Sequence, residues 1–229
     1  MNGIRAISFD LDDSLWAILP VIMRAEEAIN AHCREHFPEL VRLFDAEAAL
    51  SVRQRVVEEN RHLAHDFGEL RRLTFAAMLE ESGYDTAHAD TLMDRFMAHR
   101  HDVEFFDDVL PALEKLGERY RLASVSNGNA DLGRVGIAQY FELQVSARDE
   151  GVGKPDPRIF HAACERLGLA PSEVLHIGDH PVEDVKGAMD AGLKAAWLNR
   201  AGVPWTHDFR PHISCSDLNE FTAIVLDSP

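Results

Sequence analysis

Two aspartates with the spacing Asp10-x-Asp12 follow directly on a largely apolar run near the start of the chain, residues 4–9. That run has the composition of a central strand in a parallel sheet, which is buried on both faces. In open α/β sheets, ligands bind beyond the carboxyl ends of such strands. Because clustered carboxylates repel one another, the acidic pair indicates either a binding site with a compensating partner or an ordinary polar turn.

Polar groups recur in three later segments of the chain. They are Ser126-Asn127-Gly128 after a predicted strand at 122–126, Gly153-Lys154-Pro155 before a predicted helix, and Gly178-Asp179 after a predicted strand at 174–178, with Asp184 five residues further on. The carboxyl ends of parallel strands lie at one edge of the sheet, so these groups can meet there. Four such groups in one chain favour a functional site over four ordinary turns.

The elements that must position these groups alternate between strands and single helices from about residue 103 onward. The pattern predicts strands at 122–126, 141–145, 174–178 and 195–198, a last short strand near Ile213, and helices at 109–120, 157–167, 182–191 and 218–225. Strands joined by single helices imply right-handed crossovers and a parallel sheet. The predicted fold class is therefore α/β with a parallel sheet as its core.

The segment between the first strand and residue 103 has helical periodicity, few glycines and no strand-like run. Pro20 suits a first helical turn, and Asp66 with Glu69 three residues later has the spacing of a capping box. We therefore expect two domains. Residues 1–16 and 103–229 form an α/β core, and residues 17–102 form a helical domain inserted after the first strand.

The composition excludes several classes of function. The chain has 229 residues and a net charge of −16, which argues against binding to nucleic acid. No apolar run reaches the roughly 18 residues that a membrane span needs, and the acids at 10–13 interrupt the only candidate for an N-terminal signal. We therefore expect a cytoplasmic protein with no membrane contact. Three cysteines without C-x-x-C spacing are expected to be reduced, and the oligomeric state has no sequence signal.

The order of Asp10-x-Asp12, Ser126, Lys154 and Gly178-Asp179 with Asp184 resembles the haloacid dehalogenase-like hydrolase superfamily. The resemblance covers residues 1–16 and roughly 103–200. It implies a Rossmann-like parallel sheet core with an inserted helical cap of the first type, and a magnesium-dependent phosphatase that works through an aspartyl-phosphate. One departure is that Asp13-Ser14 stands where Gly-Thr is commoner, although Ser14 keeps the hydroxyl group.

The resemblance also implies roles for the acids. Asp10 would be the nucleophile and a ligand of Mg²⁺, whose preference is for hard oxygen donors. Asp12 would offer its backbone carbonyl to the metal and its side chain as general acid and then general base. Asp179 would bind the metal, and Asp184 would bind it directly or through a water molecule.

Further residues would hold the substrate if the resemblance extends to them. The Ser126 hydroxyl and the amides of Asn127 and Gly128 would donate to phosphoryl oxygens, and Lys154 would neutralise the phosphoryl group. Trp16 and His180 are candidate substrate contacts, because one lies where the chain leaves the core and the other follows Asp179 directly.

The expected substrate is a small-molecule phosphate ester. The motifs are similar to those of bacterial phosphatases that act on flavin mononucleotide and on the ribitylamino-uracil phosphate of riboflavin synthesis. Sugar phosphates, phosphoglycolate and nucleotides are alternatives. Two alternatives of another class are a 2-haloacid dehalogenase and a non-enzymatic phospho-receiver module. Asp12 favours the phosphatase over the dehalogenase, because a departing halide needs no proton.

Overall fold

The computed structural model describes residues 3–44 and 46–227, and these divide into two compact units. One unit comprises the chain up to Ala17 and from Glu104 onward, and the other comprises Ile18–Val103. Within the described ranges, no helix is both long and apolar enough to cross a membrane.

A six-stranded parallel sheet forms the core of the first unit. Its strands are β1 Ala6–Phe9, β2 Arg121–Ser126, β3 Leu143–Ser146, β4 Val174–Gly178, β5 Lys194–Leu198 and β6 Ile213–Cys215. The order across the sheet is β3-β2-β1-β4-β5-β6, and every neighbouring pair is parallel. The strand order reverses at β1, so the carboxyl ends of β1, β2 and β4 surround the switch point where ligands bind in such folds. The predicted α/β fold class is confirmed.

The helices of this unit differ in detail from the sequence expectation. They are α5 Val109–Gly117, α6 Leu132–Val135, α7 Ala147–Glu150, α8 Pro157–Leu167, a π-helical turn Pro181–Lys186 that runs into α9 Gly187–Asp190, and α10 Leu218–Asp227. Helix α8 begins as its sequence predicts, because Asp156 caps it through the amide of Arg158 and Pro157 occupies its first position. The predicted helix at 182–191 is instead π-helical over its first part.

The sheet is held by apolar packing on both of its faces. All four residues of β1 are buried, as are all five of β4. One continuous cluster joins the sheet to α8 and α9, with Phe160, Ala163 and Val185 among its members. Burying each large apolar side chain stabilises the fold by roughly 1.5–3 kcal/mol. This packing holds in place the strands whose ends carry the polar groups.

The second unit is helical. It contains α1 Ile18–His36, α2 Ala46–Glu59, α3 Phe67–Glu81 and α4 His88–Arg100, with 3-10 turns at Leu40–Phe44 and Arg61–Leu63. Asp66 is the N-cap of α3, and its side chain accepts a hydrogen bond from the amide of Glu69 at 2.9 Å. An apolar cluster of its own, which includes Ile29, Leu79 and Phe96, holds the helices together.

Candidate active site

Three carboxylates converge at the carboxyl edge of the sheet. Asp10 follows β1, Asp179 follows β4, and Asp184 lies on the π-helical turn. One oxygen from each lies within 4.8 Å of the other two. The amide of Asp10 continues the sheet by donating to the carbonyl of Ile177 at 2.9 Å, so the position of its side chain is set by strand pairing.

Lys154 lies inside this cluster. Its Nζ donates to Asp10 Oδ1 and to Asp184 Oδ1, both at 2.5 Å, and its side chain is 2% exposed. With all three carboxylates ionised, they and the one ammonium carry a net charge of −2. Buried charges need compensation, and oxygen donors with two missing positive charges suit a hard divalent cation such as Mg²⁺. The residues present therefore fit the cofactor that the sequence predicts.

Burial sets the acidity of the cluster. It raises the pKa of Asp10 well above its ordinary value, and the Lys154 ammonium offsets this only in part. Burial, with the charge of Asp184 added, raises the pKa of Asp179 to about 6. Burial also acts to raise the pKa of Asp184, but Lys154 and His176 hold it below its usual range. Asp10 and Asp179 thus bind protons more tightly than free carboxylates do.

The carboxylate of Asp184 is fixed by its local backbone. Its Oδ2 accepts a hydrogen bond from the amide of His180 at 2.8 Å. A Cβ atom on Gly178 would lie 2.3 Å from its Cγ atom, so only glycine at the end of β4 lets the carboxylate approach this closely. The His180 ring, a candidate substrate contact, accepts a hydrogen bond from the amide of Glu183 through Nδ1 at 3.0 Å. It thereby caps the π-helical turn, and its contact with substrate stays a prediction.

The residues at the end of β2 hold the loop formed by residues 153–155, here called the lysine loop. They also offer hydrogen-bond donors. Ser126 is buried, and its Oγ accepts a hydrogen bond from the amide of Gly128 at 3.0 Å. The Asn127 carboxamide is engaged with the backbone of Lys154 on both sides. A Cβ on Gly153 would lie 2.7 Å from Asn127 Oδ1, so this contact also requires glycine. The predicted role of the two amides toward a phosphoryl group stays a prediction.

The loop after β1 explains the departure at Asp13. Its backbone has φ 58°, a left-handed conformation that glycine adopts without strain and aspartate tolerates better than most residues. The Asp13 amide donates to the carbonyl of Trp16 at 2.7 Å, and Leu15 donates to Leu11 at the same distance. The hydroxyl of Ser14 lies 3.4 Å from oxygens of both Asp10 and Asp179.

Asp12 is half-buried, and its Oδ1 accepts a hydrogen bond from the indole Nε1 of Trp16 at 2.9 Å. Trp16 itself is fully buried. In this structure it therefore has no exposed surface to offer a substrate, in contrast to the lining role expected from the sequence. Its contact with the site is through Asp12.

Three residues at the site were missed by the sequence reasoning. His176 is fully buried between Ser8 Oγ, 2.9 Å from its Nδ1, and Asp184 Oδ1, 3.2 Å from its Nε2. Trp197 donates through Nε1 to the carbonyl of Asp179, and Arg200 donates through Nε to the carbonyl of Ser14, both at 2.9 Å. The sequence does offer a signal for His176, because a histidine inside an apolar strand is unusual. No sequence pattern indicates Trp197 or Arg200.

Comparisons with known proteins agree with this arrangement. A family model described as haloacid dehalogenase-like hydrolase matches residues 4–192. The chain is 29% identical over 233 residues to 5-amino-6-(5-phospho-D-ribitylamino)uracil phosphatase YigB of Escherichia coli (strain K12), with 98% of each chain covered. It is 34% identical over 159 residues to phosphoserine phosphatase of Thermus thermophilus, with 67% of this chain and 64% of that one covered.

A solved structure, that of 2-haloacid dehalogenase from Pseudomonas syringae pv. Tomato DC3000, matches with a TM-score of 0.91 and 36% identity, over 97% of this chain and 98% of that chain. The family match spans Asp10, Lys154, Asp179 and Asp184 and confirms the expectation of an enzyme. The chain belongs to the haloacid dehalogenase-like hydrolase family.

Proposed function

We propose that this hydrolase removes the phosphoryl group from a small metabolite phosphate of the cytoplasm, with Mg²⁺ as cofactor and an aspartyl-phosphate on Asp10 as intermediate. The observation that carries the proposal is the cluster of three carboxylates, two of them buried and paired with Lys154, which lacks two positive charges when all three are ionised. A phosphate ester brings further negative charge. Binding it beside these carboxylates requires a cation at the same place.

Each side chain has a distinct step in this reaction. Bound Mg²⁺, held by Asp10, Asp179, Asp184 and the Asp12 carbonyl, would neutralise the carboxylates and the phosphoryl oxygens. A carboxylate oxygen of Asp10 attacks phosphorus, and the bond from phosphorus to the ester oxygen breaks. Asp12 donates its proton to that oxygen, so an alcohol leaves. Asp12 then takes a proton from the water that attacks the aspartyl-phosphate, which releases phosphate and restores Asp10.

The donors around the cluster orient the phosphoryl group. The Ser126 hydroxyl and the amides of Asn127 and Gly128 lie at the end of β2, next to β1 in the sheet. Lys154 keeps its charge, because the two neighbouring carboxylates outweigh the effect of burial and raise its pKa. Because these donors are already in place, they stabilise the negative charge that develops on the phosphoryl oxygens in the transition state.

For the substrate we propose flavin mononucleotide or a ribitylamino-uracil phosphate of riboflavin synthesis. Support comes from the E. coli relative, which spans nearly all of this chain and is named for 5-amino-6-(5-phospho-D-ribitylamino)uracil. Sugar phosphates, phosphoglycolate and nucleotides remain the alternatives within the same reaction.

Dehalogenation of a 2-haloacid is the second candidate, and the likeness to the P. syringae structure favours it. In that reaction a carboxylate of Asp10 would displace the halide from carbon, and an ester would be hydrolysed by water. The halide leaves without a proton, so dehalogenation would give Asp12 no role as a general acid. Dehalogenation also needs no metal ion, so it would not explain why the carboxylate cluster lacks two positive charges.

One experiment separates the two candidates. Purified protein is assayed for phosphate release from a panel of phosphorylated metabolites, with MgCl₂ or with EDTA, and for chloride release from 2-chloropropionate. We expect phosphate release that needs Mg²⁺ and falls by about a thousandfold or more in Asp10→Asn, because the nucleophile is lost. Glu118→Gln, at an exposed position after α5, is the matched control and should keep full activity. Chloride release in EDTA, without phosphate release, would overturn the proposal.

A further inference from the structure

The indole N–H of Trp16 is the polar atom of a large side chain with no exposed surface, and it is directed at one oxygen of Asp12 at 2.9 Å. A buried indole usually finds a partner, because an unpaired donor loses its hydrogen bond to water without gaining another. Here the partner is a carboxylate two residues beyond Asp10.

The backbone around Trp16 leaves this donor little freedom. Residues Asp12 and Trp16 form a parallel bridge, and Trp16 forms an antiparallel bridge with Phe105. The rings of Trp16 and Phe105 meet edge to face with centroids 5.9 Å apart. The amide of Phe106 donates to the carbonyl of Leu15 at 3.1 Å, which ties the same loop to the next part of the unit. The donor is thus fixed by the fold rather than by Asp12.

We propose that Trp16 is the positioning residue for the proton-transferring carboxyl of Asp12. Its N–H holds Oδ1 as an acceptor, which fixes the orientation of the carboxyl group that delivers the proton to the leaving group. The inference rests on the proposed phosphatase function and adds to it a residue that touches neither substrate nor metal. Proton transfer depends on such geometry, because donor and acceptor must lie within hydrogen-bond reach.

The dependence on leaving group distinguishes positioning from general structural support. A simple alkyl phosphate releases a strongly basic alkoxide and needs the proton, whereas 2,4-dinitrophenyl phosphate releases a weakly basic phenolate and does not. A loss of orientation at Asp12 should therefore slow cleavage of the first ester and spare the second. A loosened fold would slow both. The ratio kcat/KM is the proper measure, because it reports the free-energy difference up to the transition state of ester cleavage.

The test compares Trp16→Phe with Trp205→Phe at saturating Mg²⁺. Trp205 is the matched control, because it also donates an indole N–H, at 2.6 Å to the carbonyl of Phe209, and lies in the same unit. We expect Trp16→Phe to lower kcat/KM for glycerol 2-phosphate by about 10- to 100-fold and that for 2,4-dinitrophenyl phosphate by less than about threefold. Trp205→Phe should change neither ratio.

Two further variants separate the effect of the N–H group from an effect on folding. In an Asp12→Asn background, Trp16→Phe should cause no further loss on the alkyl ester. If Trp16→Phe does not fold, 3-benzothienylalanine at position 16 keeps the ring shape and removes only the N–H donor. Equal losses on both esters, or no loss on either, would overturn the inference and leave the phosphatase proposal intact. A wild-type protein that releases phosphate from neither ester and from no metabolite of the panel would instead remove the proposed function itself.

Discussion

The side chain of Asn127 holds the backbone of Lys154 on both sides: Oδ1 accepts from its amide at 2.7 Å, and Nδ2 donates to its carbonyl at 3.0 Å. The same Nδ2 also donates to a carboxylate oxygen of Glu183 at 2.9 Å. A single carboxamide therefore connects the end of β2, the lysine loop and the π-helical turn. The placement of the Lys154 ammonium between its two carboxylates depends on this connection.

Asn127→Asp should weaken the connection without changing the size of the side chain. It replaces the donor with a carboxylate that faces the Lys154 carbonyl and the Glu183 carboxylate. Hydrogen bonds to charged groups contribute about 1.5–3 kcal/mol. We therefore expect kcat/KM of Asn127→Asp for phosphate release, measured by steady-state kinetics, to fall by about 10- to 100-fold.

The chain contains a matched control for this change. Asn199 holds the backbone of Val203 through the same pair of hydrogen bonds, at 3.0 Å and 2.9 Å. Asn199→Asp should therefore leave kcat/KM within about twofold of wild type. Equal losses in the two variants would show that the Asn127 result is a general effect on the fold.

Lys154→Met should destabilise the metal-free protein, because it leaves Asp10 and Asp184 buried without a positive charge. Removing one partner of a buried ion pair typically lowers the free energy of unfolding by about 3–5 kcal/mol. Urea unfolding in EDTA at pH 8 measures this loss. Lys186→Met removes an exposed lysine paired with Asp190 and should cost less than about 1 kcal/mol. A loss for Lys154→Met as small as that of the control would contradict the burial argument.

Mg²⁺ binding should depend on pH through Asp179. Its pKa in the fold, about 6, lies above its ordinary value of 3.8, so the folded chain holds this proton more tightly than the unfolded chain does. In the metal-free protein the resulting stabilisation is fully present below pH 3.8 and is lost as the pH rises through 6. Because a metal must displace the proton, and because Asp10 also binds one more tightly than a free carboxylate does, the half-saturating Mg²⁺ concentration should rise at least about tenfold per pH unit below 6.

Calorimetric titration with MgCl₂ between pH 5 and pH 8 would measure this dependence. Asp179→Asn cannot hold this proton, so its weaker binding should change less steeply over the same range, and the change that is left comes from Asp10. A wild-type affinity that is constant from pH 5 to pH 8 would rule out competition at Asp179.

At position 13, glycine should give a more stable protein than alanine, which is the reverse of the usual order. The Asp13 φ of 58° is left-handed, which costs a residue with a Cβ roughly 1–2 kcal/mol. We therefore expect Asp13→Gly to be more stable to urea than Asp13→Ala by about 1 kcal/mol. At the exposed Glu118, with φ −67°, alanine should be the more stable of the two. The same order at both positions would exclude backbone strain as the reason.

The meeting of Asp10 and Asp179 was predictable from the pattern of strands, and the resemblance in motif order added Lys154 and Asp184. The alternation of strands and helices implies a parallel sheet, and a parallel sheet brings the carboxyl ends of its strands to one edge. The residue types at those ends then indicate a site before any coordinate is known. Backbone topology carries this part of the prediction, and side-chain detail is not needed for it.

Side-chain partners were not predictable in the same way. Trp16 was expected beside the substrate, but its orientation is decided by packing against Phe105, which lies far along the chain. Asn127 was expected to offer its amide, and nothing in its sequence surroundings indicates that its carboxamide reaches Lys154, 27 residues later. Such contacts depend on rotamers that only the packed structure selects.

The long interruption of the sheet has a consequence for how the chain assembles. Strand β1 is made first, yet it pairs with β2 and β4, and roughly 110 residues separate Phe9 from Arg121. If the helical unit, with its own apolar cluster, folds before these strands meet, the flexible loop to be closed is about fourfold shorter. That saves about 1 kcal/mol of closure entropy. We therefore expect β1, the strand that leads into Asp10, to join the sheet late, after the helices inserted behind it have formed.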